Sequence, residues 1–358
     1  MVTKQFDCPS CAAQLHYDPS QGAPTCPYCG FVATMETTVE DKQKAVEELD
    51  LYAYLEKADA GEATSETQES LVVKCEACYA ESTLIEGQLT AECPFCGTQI
   101  VTQSQSKRML RPRAVLPFTV TDKKGHDLWQ DWIKSLWFAP NKLKETVKYA
   151  DKLQGIYIPY WTFDAKTDTK YSGERGDISY VKINGKKVPK IKWSNASGEV
   201  WLEFDDVIVI ASHGVPHKYA ERLVPWKLEE LVPYDDHYLS GFKAEAYQVD
   251  LRAGFAKGQE FMEATIDKMV RKDIGGEQQR IHNKHTEYSD VTFKHILLPI
   301  WISAYRFNDK VYQFLVNGQT GRVQGERPWS WVKISLLVLT IAAIAAAAVL
   351  IGRYSRYR

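Results

Sequence analysis

The chain has 358 residues, 44% of them apolar and 25% charged, with a formal net charge of -2. That length exceeds one ordinary hydrophobic core and predicts two or more domains. The near-neutral balance excludes a chain dominated by a basic nucleic-acid-binding surface. One stretch departs from it: residues 36–70 hold 11 acids against three lysines.

The N-terminus, Met-Val-Thr-Lys-Gln-Phe-Asp, has no apolar run of the kind that directs secretion. A reducing compartment is expected, where paired cysteines read as metal ligands rather than disulfides. Cys8, Cys11, Cys26 and Cys29 recur as Cys75, Cys78, Cys93 and Cys96, with every spacing preserved. Both sets read CxxC, then a spacer of the same length, then CPxCG. A CxxC turn aims two thiolates at one ion, and the CPxCG form adds a stiffening proline and a glycine for the tight turn. Four cysteine ligands leave no open position for water. The expectation is therefore two closed, structural Zn²⁺ sites, in ribbon modules at residues 1–35 and 71–104. Such short units bury too little surface to fold unaided, and metal binding stabilises them. The first ribbon carries Lys4 against Asp7 and Asp18, which suits protein docking better than phosphate binding.

Between the ribbons, residues 40–58 read as a helix, with Val46, Leu49 and Ala53 on one face and Thr38 and Asp41 near a capping box. Residues 59–70 offer almost nothing to bury and read as a flexible linker, so that 36–70 forms an acidic helix and tether. The body, 105–330, reads as an α+β domain containing an antiparallel sheet. Helices are expected over 123–138, capped by Asp122 and stopped by Pro140, and over 259–272, ahead of Gly275 and Gly276. Tryptophans 129, 132 and 137 accompany the first helix, whose Asp127, Asp131 and Lys134 form a polar side, as a core-packed helix requires; contact with lipid or a partner is the alternative. Residues 156–171, 199–211 and 286–323 are rich in β-branched and aromatic side chains and read as strands, with Asn308-Asp309 and Asn317-Gly318 as turns.

A second repeat is faint. Ile156-Tyr-Ile-Pro-Tyr-Trp161 resembles Ile296-Leu-Leu-Pro-Ile-Trp301, much later in the chain, and suggests two related half-units with buried tryptophans. His237, His282 and His285 match no recognised metal spacing, and the sequence has no Walker A, GxSxG or Rossmann fingerprint, so neither catalytic nor organic-cofactor residues are assigned.

Residues 334–351 run without a charge, and a helix of that length reaches about 27 Å, close to the bilayer's hydrocarbon core. Trp329, Trp331, Tyr354 and Tyr357 flank it as interfacial aromatics do. Segment 331–358 therefore reads as a single membrane anchor with a short basic tail. Arg353, Arg356 and Arg358 argue for a cytoplasmic tail. The size of the N-terminal part and its thiolates argue more strongly that ribbons and body face the cytoplasm, with the anchor in the cytoplasmic membrane.

The CPxCG ribbons, Tyr238-Leu-Ser-Gly-Phe242, Lys294-His-Ile-Leu-Leu-Pro-Ile-Trp301, Val316-Asn-Gly-Gln-Thr-Gly321 and Gly325-Glu-Arg-Pro-Trp329 resemble a bacterial family of membrane-anchored zinc-ribbon proteins. Members often carry a label of primosomal protein N′ or superfamily II helicase, which the absence of motor motifs here does not bear out. The resemblance implies a protein partner related to phage-shock-protein-A-like membrane-stress factors. The composite expectation is a non-enzymatic membrane adaptor that recruits a protein partner. The alternatives are a nucleic-acid-binding or replication-associated ribbon protein without a motor and, third, an enzyme of unrecognised type built on the 105–330 body.

Overall fold

A computed structural model describes residues 6–35, 38, 47–61, 66–77, 80–83, 90–93, 95, 98–101, 105–146, 153–183, 186–308 and 310–356. It is α+β, as expected, and built on antiparallel pairing. The central sheet runs through four strands: β8 (Lys186–Ile210), β7 (Gln154–Ile183), β10 (Gln278–Phe307) and β11 (Lys310–Asn317), in that order, with β12 (Val323–Gly325) at the edge. At about 3.3 Å per residue, a 30-residue strand such as β7 has a contour of roughly 100 Å.

The faint repeat is real in three dimensions. The two related segments pair with each other antiparallel: Ile156 opposes Ile300, Ile158 opposes Leu298, and Tyr160 opposes Ile296. The register is symmetric about the Ile158–Leu298 pair. Each segment also receives a short parallel strand at the equivalent place: β9 (Lys243–Ala244) beside Ile156 and Tyr157, and β6 (Ala114–Val115) beside Ile296 and Leu297. Trp161 donates its indole N–H to Val249 O at 3.0 Å, and Trp301 donates to Val120 O at 2.9 Å. Immediately after each of these valines comes a helix, α3 (Leu251–Ile274) capped by Asp250 and α2 (Asp122–Ser135) capped by Thr121. Each helix crosses the other unit's tryptophan at a glycine: Gly254 on Trp161 and Gly125 on Trp301. Ala211 and Gly318 likewise donate to Pro159 O and Pro299 O. Two strand–helix–strand units are thus interlocked about a pseudo-twofold axis between β7 and β10.

Alternation along these strands sorts the core. Ile156, Ile158, Tyr160, Ile296, Leu298 and Ile300 face one side. Tyr157, Leu297 and Trp301 face the other with α2, while Trp161, Phe163 and Phe293 do so under α3. Beyond Gly176, where β10 ends its pairing, β7 and β8 continue as a bare two-stranded ribbon over 177–183 and 186–192.

Several elements depart from the sequence reading. Among the described residues of the acidic segment, the helix is α1 (Leu51–Asp59), capped by Asp50. Leu49 and Asp50 instead form a short strand, β3, on β10, because Leu49 packs into the sheet's apolar side. Val46 and Asp41 lie outside the described residues, so the predicted helical face and capping box do too. The presumed linker contributes to a strand, β4 (Thr67–Lys74), whose first residues pair with β5 (Gln105–Leu110). Asn317 and Gly318 do begin the turn joining β11 to β12, with Asn317 N–H donating to Arg322 O at 2.8 Å. Of the other predicted turn, Asp309 lies outside the described residues, between the paired strands β10 and β11.

Candidate metal centre and ribbon docking

The first ribbon is a hairpin, β1 (His16–Asp18) against β2 (Ala23–Thr25), flanked by two cysteine turns. In one turn Cys8 N–H donates to Ala13 O at 2.7 Å and Ala12 N–H to Cys8 O at 2.8 Å. In the other, Cys26 N–H donates to Phe31 O at 2.8 Å and Gly30 N–H to Cys26 O at 3.0 Å. Both turns close on a residue of positive φ, Ala12 at 56° and Gly30 at 75°. The CPxCG glycine supplies that conformation without strain.

These turns bring the sulfurs of Cys8, Cys11, Cys26 and Cys29 within 4.8 Å of one another. Cys8 Sγ lies 3.5 Å from Cys29 Sγ, and Cys11 Sγ lies 3.5 Å from Cys26 Sγ. A tetrahedron with Zn–S bonds of about 2.3 Å has sulfurs about 3.8 Å apart. The donor set and its spacing therefore fit one four-coordinate thiolate-bound ion. Backbone amides supply a partial positive charge to the thiols. The N–H groups of Cys29 and Tyr28 pull Cys26 down to about 6 despite its burial. At Cys8, burial opposes ionisation, but the amides of Ser10 and Cys11 help hold the thiol below its ordinary value.

The second ribbon shares this construction where it is described. Cys75 N–H donates to Ala80 O and Cys93 N–H to Thr98 O, both at 2.9 Å. The cysteine-to-fifth-residue bond thus recurs in all four turns. Cys75 and Cys93 are buried; Cys78 and Cys96 lie outside the described residues.

The ribbons sit on the body in opposite senses. In the second, Phe95, between the CPxCG cysteines, is 2% exposed. It enters the core formed by Ile156, Ile158 and Leu298, and its carbonyl accepts from Gln313 Nε2 at 2.7 Å. In the first, the equivalent Tyr28 is 83% exposed. That ribbon rests on the body by its hairpin side instead. Tyr17 N–H donates to Ser240 O at 2.9 Å, Ser240 Oγ donates to Leu15 O at 2.6 Å, and Phe6 stacks on His237 at 3.7 Å. Tyr17 packs against Tyr238 and Phe242. Gly241, at φ +83° and with His16 Cβ 3.1 Å from where its own Cβ would stand, lets the ribbon approach. The 238–242 motif is therefore the saddle of the first ribbon, a role that spacing alone does not reveal.

The body also holds one buried carboxyl and one half-buried carboxylate cluster that the sequence did not single out. Glu245, beneath the second ribbon, is 2% exposed. Burial pushes its carboxyl up to about 8, partly offset by Ser212 and the Gly214 amide. Elsewhere, carboxylate oxygens of Glu48, Asp164 and Asp206 converge within 4.8 Å. Buried Lys294 Nζ already fills that cluster, 2.7 Å from Glu48 and 3.0 Å from Asp206. Burial and a bond to Glu48 push Asp164 up to about 7. This is an ion-pair network on a row of β-bulges, with Asp206 at positive φ. His282 and His285 stand on the exposed side of the sheet, paired with Glu174 and Glu287, apart from any metal cluster among the described residues.

The C-terminal helix, α4 (Trp331–Arg356), contains one stretch, Trp331–Gly352, long and apolar enough to cross a membrane. None of that stretch is buried against the body, which removes the alternative of a core helix. Trp129 in α2 is a core residue, stacked on Phe314 at 4.4 Å. Trp137 lies beyond the helix and is 74% exposed.

No family model matches the chain, and no solved structure matches it. Over 230 residues, 63% of its length, it is 25% identical to an uncharacterized protein, YdjG, of Bacillus subtilis strain 168, and it spans 66% of that relative.

Proposed function

We propose that this chain is a non-enzymatic, membrane-anchored zinc-ribbon adaptor whose first ribbon engages a protein partner at the cytoplasmic face of the membrane. The observation that carries the reading is the contrast between Phe95 and Tyr28. One metal-turn aromatic is consumed by the body's own core, and its counterpart is displayed. In the two cysteine turns and the residues just after them, the exposed Pro9, Ala12, Pro27 and Val32 carry no charge, as the centre of a protein-binding patch does. Tyrosine is a frequent anchor of such patches. Both ribbons hold Zn²⁺ in this reading, through Cys8, Cys11, Cys26 and Cys29, and through Cys75, Cys78, Cys93 and Cys96. The ion is a structural clamp with all four positions taken by sulfur. The partner expected from the family resemblance is a phage-shock-protein-A-like factor.

The test is a photocrosslinking amino acid placed at Tyr28 or at Phe95 of the full chain in cells. Position 28 is expected to trap a discrete protein partner. An absence of adducts at 28, with zinc content and membrane fractionation intact, would overturn the adaptor reading.

A second reading, nucleic-acid binding, has one observation in its favour. Residues 178–198, which include the bare hairpin, contain five lysines and no acid, and Lys182, Lys187, Lys190 and Lys192 are exposed. A two-stranded ribbon fits the DNA major groove. Its mark is duplex binding that weakens steeply with salt. The adaptor reading is preferred because edge lysines are also an ordinary guard against strand pairing.

A further inference from the structure

Two segments far apart in sequence meet at the foot of α4. Ser330 N–H donates to Phe138 O at 2.7 Å. Lys333, in the helix's first turn, donates through Nζ to Trp137 O at 3.0 Å, Ala139 O at 2.8 Å and Asn141 Oδ1 at 2.8 Å. This ammonium is committed to the turn after α2 and ties it to the start of the span. Around the joint, three tryptophans from the two segments stand in the open: Trp137 at 74%, Trp329 at 51% and Trp331 at 75% exposure. Phe138 packs at 6.3 Å from Trp329, and the Arg327 guanidinium lies 4.4 Å above the Trp329 ring. Lys134 and Lys142 are exposed nearby in sequence.

In a water-facing joint, three exposed indoles would be a costly arrangement. In the headgroup layer they are at home, since an indole presents an apolar body and one polar N–H. Cations beside them match the anionic leaflet. We propose that the turn carrying Trp137 and Phe138 is itself a lipid-contacting element, forming with Trp329 and Trp331 one aromatic belt in the headgroup layer of the membrane that α4 crosses. The belt rests on the reading of α4 as a span and adds to it. The body is not hung on a free tether but seated on the bilayer at the end of α2, with Lys333 as the rivet.

The occupant is phospholipid, and the test uses the full chain in vesicles of phosphatidylethanolamine and phosphatidylglycerol. A benzophenone amino acid replaces Trp137, Ile341 inside the span, or Tyr180 on the far hairpin, one at a time. Phospholipid adducts are expected at 341 and 137 and not at 180. Adducts at 341 without any at 137 overturn the belt and leave the span standing. Absence at both 341 and 137 overturns the span and the belt together. Position 137 is exposed, so the replacement does not burden folding, and retained zinc content in each variant reports that it has folded.

Discussion

At the residue scale, Glu245 is a carboxyl held far from its solution preference. It is held in the core beside the second ribbon, and its folded carboxyl is pushed up to about 8. A carboxyl raised in this way binds its proton more tightly in the native state than in the unfolded chain. Its contribution is therefore fully present below the ordinary carboxylate range, near 4.5. It declines as pH rises toward 8 and stays lost above it. Glu245→Gln keeps the shape and removes the ionisation. The variant is expected to match the parent at about pH 4.5 and to exceed it by a few kcal/mol at about pH 9. Chemical denaturation of the full chain in detergent at both pH values measures this, and an advantage that does not grow with pH contradicts it. Nothing in the sequence around Glu245 signals burial, because segment 243–246 becomes interior only by pairing in parallel with Ile156 and Tyr157.

At the element scale, the interlocked units explain which parts of the fold were legible. The eight cysteines and the anchor are local patterns and could be read directly. The related segments at 156–161 and 296–301 were visible only as a faint repeat, yet they form the symmetric centre of the sheet. The strands run longer than the apolar pattern suggests because the outer halves of β7, β8 and β10 bury one face at most, and their exposed residues dilute the apolar signal. Helix α3 starts well before the predicted boundary, at Leu251 rather than 259. Gly254 and Gly258 hide its N-terminal turns from a propensity reading. Their purpose is close approach: a Cβ on Gly254 would stand 2.5 Å from Trp161 Cδ1. An exposed helical glycine replaced by alanine gains about 1 kcal/mol. Here Gly254→Ala is expected to lose about 1–3 kcal/mol, because the helix must lift from the tryptophan. A thermal or denaturant midpoint for that variant equal to or above the parent would contradict the packing described.

At the scale of the whole molecule, the chain combines two ribbons of one design used in two ways, a pseudo-twofold body, and an apolar helix exposed along its length. Which ribbon is displayed was not readable from the cysteine pattern, since Tyr28 and Phe95 occupy equivalent positions in nearly identical motifs. The difference arises from the body, which offers a core to one ribbon and the 238–242 saddle to the other. The proposed adaptor requires each ribbon to be a self-contained metal module. That is measured most directly by the metal content of the full chain, purified in detergent without added metal, together with Cys8→Ser. Two Zn²⁺ per chain are expected, falling to one in the variant, with the second ribbon retained. A parent stoichiometry of one, or loss of both ions on changing Cys8 alone, would contradict it.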